Sequence, residues 1–171
     1  LSIRRQRQMC IRDRFYTHEN IGFGEISLPP EEMRTTAYWL ALADDSSKLL
    51  KHLENEGGSF NLSSGLLALS NVLINVVPLY VMCDPQDIRA VSEVRSPFTG
   101  EPTIYIYDNY PGGVGFSEKI FELRQSLLQA AQELILGCGC EKGCPSCVGP
   151  IDEVGIKGKE SALMILKEAL V

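Results

Sequence analysis

Four of the chain's cysteines fall within ten residues, in CGCEKGCPSC, residues 138 to 147. The spacing is C-x-C-x3-C-x2-C, formed by Cys138, Cys140, Cys144 and Cys147. No other stretch restricts the backbone so tightly, because sulfurs this close in sequence have few chemistries open to them. Four thiolates at about 2.3 Å from one ion make a closed tetrahedral zinc site, and short C-x2-C spacings let the backbone wrap that ion. Gly137, Gly139 and Gly143 ease the sterics of the wrap, and Pro145 stiffens its last turn. Lys142 brings positive charge beside a centre that would be formally doubly negative.

Other chemistries fit less well. Two disulfides in ten residues would be cramped, and a reducing compartment disfavours them. A redox C-x-x-C pair normally heads a helix after a strand, whereas Cys144 and Cys147 follow a helical pattern and a glycine-rich loop. An iron–sulfur cluster also takes four cysteines, and spacing alone leaves it open. With sulfur at all four positions no open site remains to activate water, so the metal holds structure and performs no reaction. Cys83 reads as a small buried hydrophobe and Cys10 lies in an amino-terminal stretch of its own character.

That stretch, residues 1 to 14, holds five arginines and a single acid, Asp13. RRQRQMCIRDR resembles translated sequencing-adapter sequence, so residues 1–14 are read as a non-native extension rather than a nucleic-acid-binding tail. The rest carries 11 basic and 21 acidic residues, a poor match for a surface that grips phosphates unaided. The longest apolar run, near Leu66 to Met82, is broken by Asn71, Asn75 and Pro78, which suits a buried helix better than a membrane span. The expectation is a soluble cytoplasmic chain with reduced thiols and no membrane partner.

The expected fold class is α+β: a small mixed sheet packed with several helices, and a helical C-terminal half with a four-cysteine zinc knuckle between two helices. Short strands and a turn are expected from Phe15 to Leu28, then strands over TTAYWLAL (35–42), VSEV (91–94) and TIYIY (103–107). Asp44 and Asp45 suit the start of a short helix carrying Leu49, Leu50 and Leu53 and stopped at Gly57-Gly58. Ser63 or Ser64 caps a central helix that Pro78 limits. The clearest helix runs from Ser117 to about Leu136, with Ile120, Leu123, Leu127, Ala131 and Leu134 at helical spacing and Gly137 as its cap. A last helix over Lys159 to Leu170 presents Ala162, Leu163, Leu166 and Leu170 on one face.

No catalytic constellation stands out. YPGGVGFS (110–117) lies between a strand and a helix and suits either a tight connection or an anion at the helix start. It lacks the G-x-x-x-x-G-K-[ST] pattern, and Glu118 stands where a dinucleotide fingerprint needs its third glycine. His18 and His52 have no nucleophile motif near them. Trp39, Tyr105 and Tyr107 read as core or sheet-face residues.

The run PTIYIYDNYPGGVGFSEKIFEL, followed by CGCEKGCPSCVGP, resembles the C-terminal zinc-binding domain of DEAD/DEAH-box DNA repair helicases of the mitomycin repair factor A family. FYTHENIGFGEISLPP and TTAYWL resemble the segment that joins the second motor domain to it. The resemblance implies residues 15–42 as a connector from a missing motor domain and 43–171 as the accessory domain. It implies a parent that is an ATP-dependent, 3′-to-5′ helicase of superfamily 2 in DNA repair, with one structural zinc on the four cysteines. ATP and magnesium belong to the missing motor domains, because Walker A and DE-x-H motifs are absent from this chain. Its implied partners are those motor domains in cis and single-stranded DNA, with Tyr110, Gly112, Gly113, Gly115 and Lys142 as candidate DNA or motor contacts. Two further readings stay open: a zinc-dependent interaction module that recruits another repair protein, and a thiol redox enzyme.

Overall fold

The computed structural model describes residues 32–42 and 60–170 in full, and residues 2–5, 9–13, 20–25 and 31 as backbone. The helix expected between Asp44 and Gly58, both histidines and the side chain of Cys10 lie outside the described residues. Ahead of the main body, strands β1 (Ser2–Arg5) and β4 (Glu31–Arg34) pair antiparallel, as do β2 (Met9–Asp13) and β3 (Asn20–Glu25).

The body is built around α1, Leu62–Val81, which is apolar on nearly every side and buries Leu62, Leu66, Leu69, Val72, Leu73, Val76 and Val77. This helix is long and apolar enough to cross a membrane, yet it forms the hub against which the remaining helices and the sheet pack. Its start differs from the serine cap expected. Asn61 lies one residue before the helix, in extended geometry, and its Oδ1 accepts from the Ser64 amide at 2.8 Å. An asparagine caps as well as a serine, so the choice falls to whichever residue has the extended backbone. The end differs too. Pro78 lies inside the helix, which runs on to Val81 and stops where Met82 adopts a left-handed conformation (φ 57°, ψ 48°) with its amide donating to Pro78 O. Proline removes one N–H from the preceding turn but leaves its own carbonyl free to serve the next.

The sheet has the order β5-β7-β6, with β5 Ala37–Ala41, β6 Ile88–Glu93 and β7 Thr103–Asp108. The α+β class therefore holds, and the pairings are antiparallel throughout rather than mixed: the loop 94–102 turns the chain back from β6 into β7, and β5, from earlier in the chain, pairs along the other edge of β7. β7 is buried at all six positions, as a central strand should be. Its Ile104 and Ile106 face the helical core. Tyr105 lies between Trp39 and Val91 across the sheet; Tyr105 is buried, while Trp39 is 58% exposed at the edge.

α2, Phe116–Gly137, buries Ile120, Leu127, Leu128, Ala131 and Ile135, with Leu123 and Leu134 at the margin of the same stripe. Gly137 falls within the helix, and the cap is Cys138, in extended geometry. A residue of the cysteine cluster thus ends the helix. The short α3 (Ile151–Val154) leads into α4, Gly158–Leu170, which buries Ala162, Ile165 and Leu166 against α1. The two helices approach closely at Gly65, where a Cβ would stand 2.8 Å from both Ile165 Cδ1 and Ser161 Cβ.

Candidate metal centre

Between α2 and α3 the four cysteines converge. Their Sγ atoms lie 3.5 Å apart for Cys138–Cys140, Cys138–Cys144 and Cys144–Cys147, and 3.4 Å for Cys140–Cys147. All four are within 4.8 Å of one another. A tetrahedron with sulfur about 2.3 Å from its centre has edges of about 3.8 Å, so the sulfurs stand close to where one ion would draw them. They are far beyond the ~2.05 Å of a disulfide, and the thiols are free. The space among them suits a single ion rather than a multi-iron cluster with its bridging sulfides. The donor set fits zinc, and its chemistry there is to tie the four segments into one turn.

The backbone is shaped for this wrap. The amides of Cys147 and Gly149 both donate to Cys144 O at 3.0 Å, closing a knuckle around the last two ligands. Gly143 has φ 128°, and a Cβ there would stand 2.8 Å from Val148 Cγ2, so a side chain is doubly excluded. Gly139, by contrast, has open space around it. Burial pushes the Cys147 thiol up to about 12. At Cys140 burial acts in the same direction, but contacts from the sulfurs of Cys147, Cys138 and Cys144 outweigh it and bring the thiol down to about 7.

Three polar side chains missed in the sequence hold the knuckle in place. Asn71 Nδ2 donates to Val148 O at 3.1 Å, and Asn75 Nδ2 to Cys147 O at 3.4 Å. These are the residues that interrupt the apolar run of α1; four apart, they lie on one helix face, which was a usable signal. Lys159, in the first turn of α4, donates from Nζ to Cys138 O at 2.8 Å and Cys140 O at 2.6 Å, and lies 3.5 Å from Cys140 Sγ. Lys142 is exposed at the surface of the loop. The cation beside the sulfurs is Lys159.

The glycine-rich loop has a different logic. Asp108, at the end of β7, is fully buried. Its Oδ2 accepts from the amides of Val114 (2.7 Å), Gly115 (3.0 Å) and Phe116 (3.2 Å). Its Oδ1 accepts from the Ser117 amide (2.9 Å) and hydroxyl (2.6 Å). The amides at the start of α2, the place where a bound anion would lie, thus serve the chain's own carboxylate. Burial alone would raise the Asp108 pKa, but the Ser117 hydroxyl and the amides of Val114, Ser117 and Phe116 hold it below its ordinary value. Gly112 N donates to Arg34 O and Gly113 N to Tyr110 O. Gly113 (φ 76°) lies so close to Thr36 that no Cβ fits. Tyr110 donates its hydroxyl to Asp87 Oδ1 at 2.6 Å. The loop is a tight connection with its amides engaged internally, and it lies apart in the sequence from the cysteine knuckle.

Fold and site together define a zinc-knuckle module: an α+β domain whose helices are tied at one end by a closed four-thiolate centre. The MrfA Zn-binding domain family matches residues 69–148, a span that runs from the middle of α1 through all four cysteines. The uncharacterized ATP-dependent helicase YprA of Bacillus subtilis (strain 168) is 44% identical over 152 residues, 89% of this chain and 19% of YprA. The uncharacterized protein MJ1572.1 of Methanocaldococcus jannaschii is 31% identical over 84 residues, 47% of this chain and 75% of that protein. Crystal structures of the DUF1998 helicase MrfA bound to DNA, without and with AMPPNP, superpose with TM-scores of 0.72 and 0.69 at 40% and 38% identity; they match 98% and 97% of this chain and 21% and 20% of theirs. This chain belongs to the MrfA zinc-binding domain family. It spans about a fifth of the length of the helicases it matches.

Proposed function

We propose that the chain is the zinc-holding C-terminal module of an ATP-dependent DNA helicase that moves 3′ to 5′ along single-stranded DNA in cytoplasmic DNA repair. The observation that carries this reading is similarity across nearly the whole chain to a helicase bound to DNA, with the four cysteines in metal-binding geometry. In the same proposal residues 1–14 are foreign, residues 15–42 connect to the motor, and residues 43–171 form the accessory domain. At the end of that proposed connector, residues 37–41 form β5, which pairs with β7. ATP and magnesium are handled by the motor.

The acidic balance assigns the division of labour. Non-specific DNA affinity comes mainly from Lys and Arg at phosphates, and residues 15–171 have 11 of these against 21 acids. The motor therefore grips the backbone, and this module shapes the exit path of the strand or braces the motor. Of the candidate contacts, Tyr110, Gly112, Gly115 and Lys142 are exposed and Gly113 is half-buried. The test is a full-length parent, extended upstream in frame, with all four cysteines changed to serine. Expected is loss of strand unwinding with ATP hydrolysis retained; unwinding at the wild-type rate would overturn the reading, and intact unwinding with loss of a bound repair protein would favour a recruitment module.

A further inference from the structure

Lys159 has no cause to be where it is on helical grounds alone. It lies in the first turn of α4, where the helix dipole is unfavourable to a cation. An ammonium has three N–H donors and no acceptor. Here two donors reach the carbonyls of Cys138 and Cys140 at 2.8 and 2.6 Å, and the third direction is taken by Cys140 Sγ at 3.5 Å. The partners are 19 to 21 residues away in sequence, so the contact is a product of the fold.

Two consequences follow from elementary electrostatics. Cys138 is the C-cap of α2, and α2 has no basic residue in its last turn. Lys159 supplies the missing cation at that end from another helix. The second consequence concerns the sulfurs. Four thiolates around a divalent ion leave a net negative centre, and a hydrogen-bond donor with full positive charge stabilises the thiolate it faces. It also withdraws electron density from that sulfur, which makes it a poorer nucleophile. Partners of metal ligands in the outer shell fix ligand orientation and tune the ion in this way.

We propose that Lys159 is a positioning residue of the metal centre: it holds the two C-x-C carbonyls so that Cys138 and Cys140 aim at one ion, and its charge stabilises the Cys140 thiolate once metal is bound. The proposal rests on the four-cysteine metal reading. It adds a role for a residue outside the ligand set, coupling metal retention to the packing of α4 on α1. Cys140 is the ligand on which the coupling falls.

The experiment titrates cobalt(II) into the full wild-type chain and into K159M, K159R, K159Q and N71A, reading the sulfur-to-metal charge-transfer band and the affinity by competition with a chelator. Asn71 also tethers the knuckle, but at Val148 O and with no contact to sulfur. Expected are one cobalt per wild-type chain, a roughly 10- to 100-fold loss of affinity in K159M, and a displaced charge-transfer band in that variant alone among K159M and N71A. K159R, which keeps the charge, returns most of the affinity and the wild-type band. An unmoved band in K159M, with an affinity loss no greater than that of N71A, overturns the proposal and leaves Lys159 a helix cap. Should K159M not fold, K159Q, which keeps a donor without the charge, decides by the same two readings. A wild-type chain that takes up no cobalt in a four-sulfur site refutes the metal centre itself, a result separable from failure of the lysine's role.

Discussion

The substitution Asp108→Asn removes one charge and almost no volume, so its effect isolates the hydrogen bonds at the start of α2. In the native chain Oδ2 accepts from three amides and Oδ1 from an amide and a hydroxyl. An asparagine can present its oxygen to the three-amide side, which leaves its NH2 group against Ser117. The Ser117 hydroxyl can turn to accept from that group, but the Ser117 amide cannot. One buried donor is then stranded, at about 1–3 kcal/mol, and the remaining bonds lose their charge assistance. A total of about 3 kcal/mol is expected, or roughly 6–12 °C in the melting temperature of a domain this size. The pH dependence carries a second check. The folded pKa of Asp108 is depressed, so its contribution is fully present above the unfolded carboxylate value near about 3.9 and is lost as pH falls through the folded value. Thermal melts followed by circular dichroism should therefore show a constant gap between wild type and D108N from about pH 5 to pH 8, closing in stronger acid. A D108N variant that melts within 1–2 °C of wild type at about pH 7 would refute the reasoning. So would a gap that persists unchanged to about pH 2.

Three more outcomes are expected. The purified chain should carry one zinc and shield Cys138, Cys140, Cys144 and Cys147 from a thiol reagent until a chelator is added; metal analysis with thiol titration checks this, and a metal-free chain with oxidised cysteine pairs would contradict it. Gly65→Ala should destabilise by about 1 kcal/mol in urea titration, because overpacking against Ile165 and Ser161 at about 1–3 kcal/mol outweighs a helix-propensity gain of about 1 kcal/mol; a rise in stability would contradict it. Residues 15–171 alone should bind single-stranded DNA more weakly than micromolar at physiological salt, as read by fluorescence anisotropy, and submicromolar binding would overturn the division of labour between motor and module.

Where one segment decides its own conformation, the sequence was legible. The stripe Ile120, Leu127, Ala131 locates α2, the β-branched and aromatic run at 103–107 locates the central strand, and the cysteine spacing locates the centre. Each of these is a local pattern with a local cause: periodicity sets which face is buried, and four sulfurs in ten residues leave little choice of geometry. The boundaries were less legible, as at Pro78, where a missing N–H costs one bond and the buried face of α1 is strong enough to carry the helix another turn.

What could not be read locally is which partner fills a site that several groups would satisfy. The amides at the start of α2 suit any oxyanion, and YPGGVGFS looks the same whether the anion is a ligand or a carboxylate six to nine residues earlier. Only the path of β7 into the loop brings Asp108 under them. The cation beside the cysteines poses the same problem. Lys142 is the near choice in sequence, but a loop wrapped around its own sulfurs turns that side chain outward, and the ammonium that reaches Cys140 comes from the far end of the knuckle on α4. Both cases use one device: a charge carried by a neighbouring element, outside the helix itself, satisfies an open end of α2, Asp108 from β7 at its start and Lys159 from α4 at its cap. The long helix is thereby fixed to the sheet at one end and to the metal knuckle at the other. Loss of the ion would release the second attachment while leaving the first in place, so damage from metal removal should spread from Cys138 into α4 and α1 and spare the β7–α2 junction.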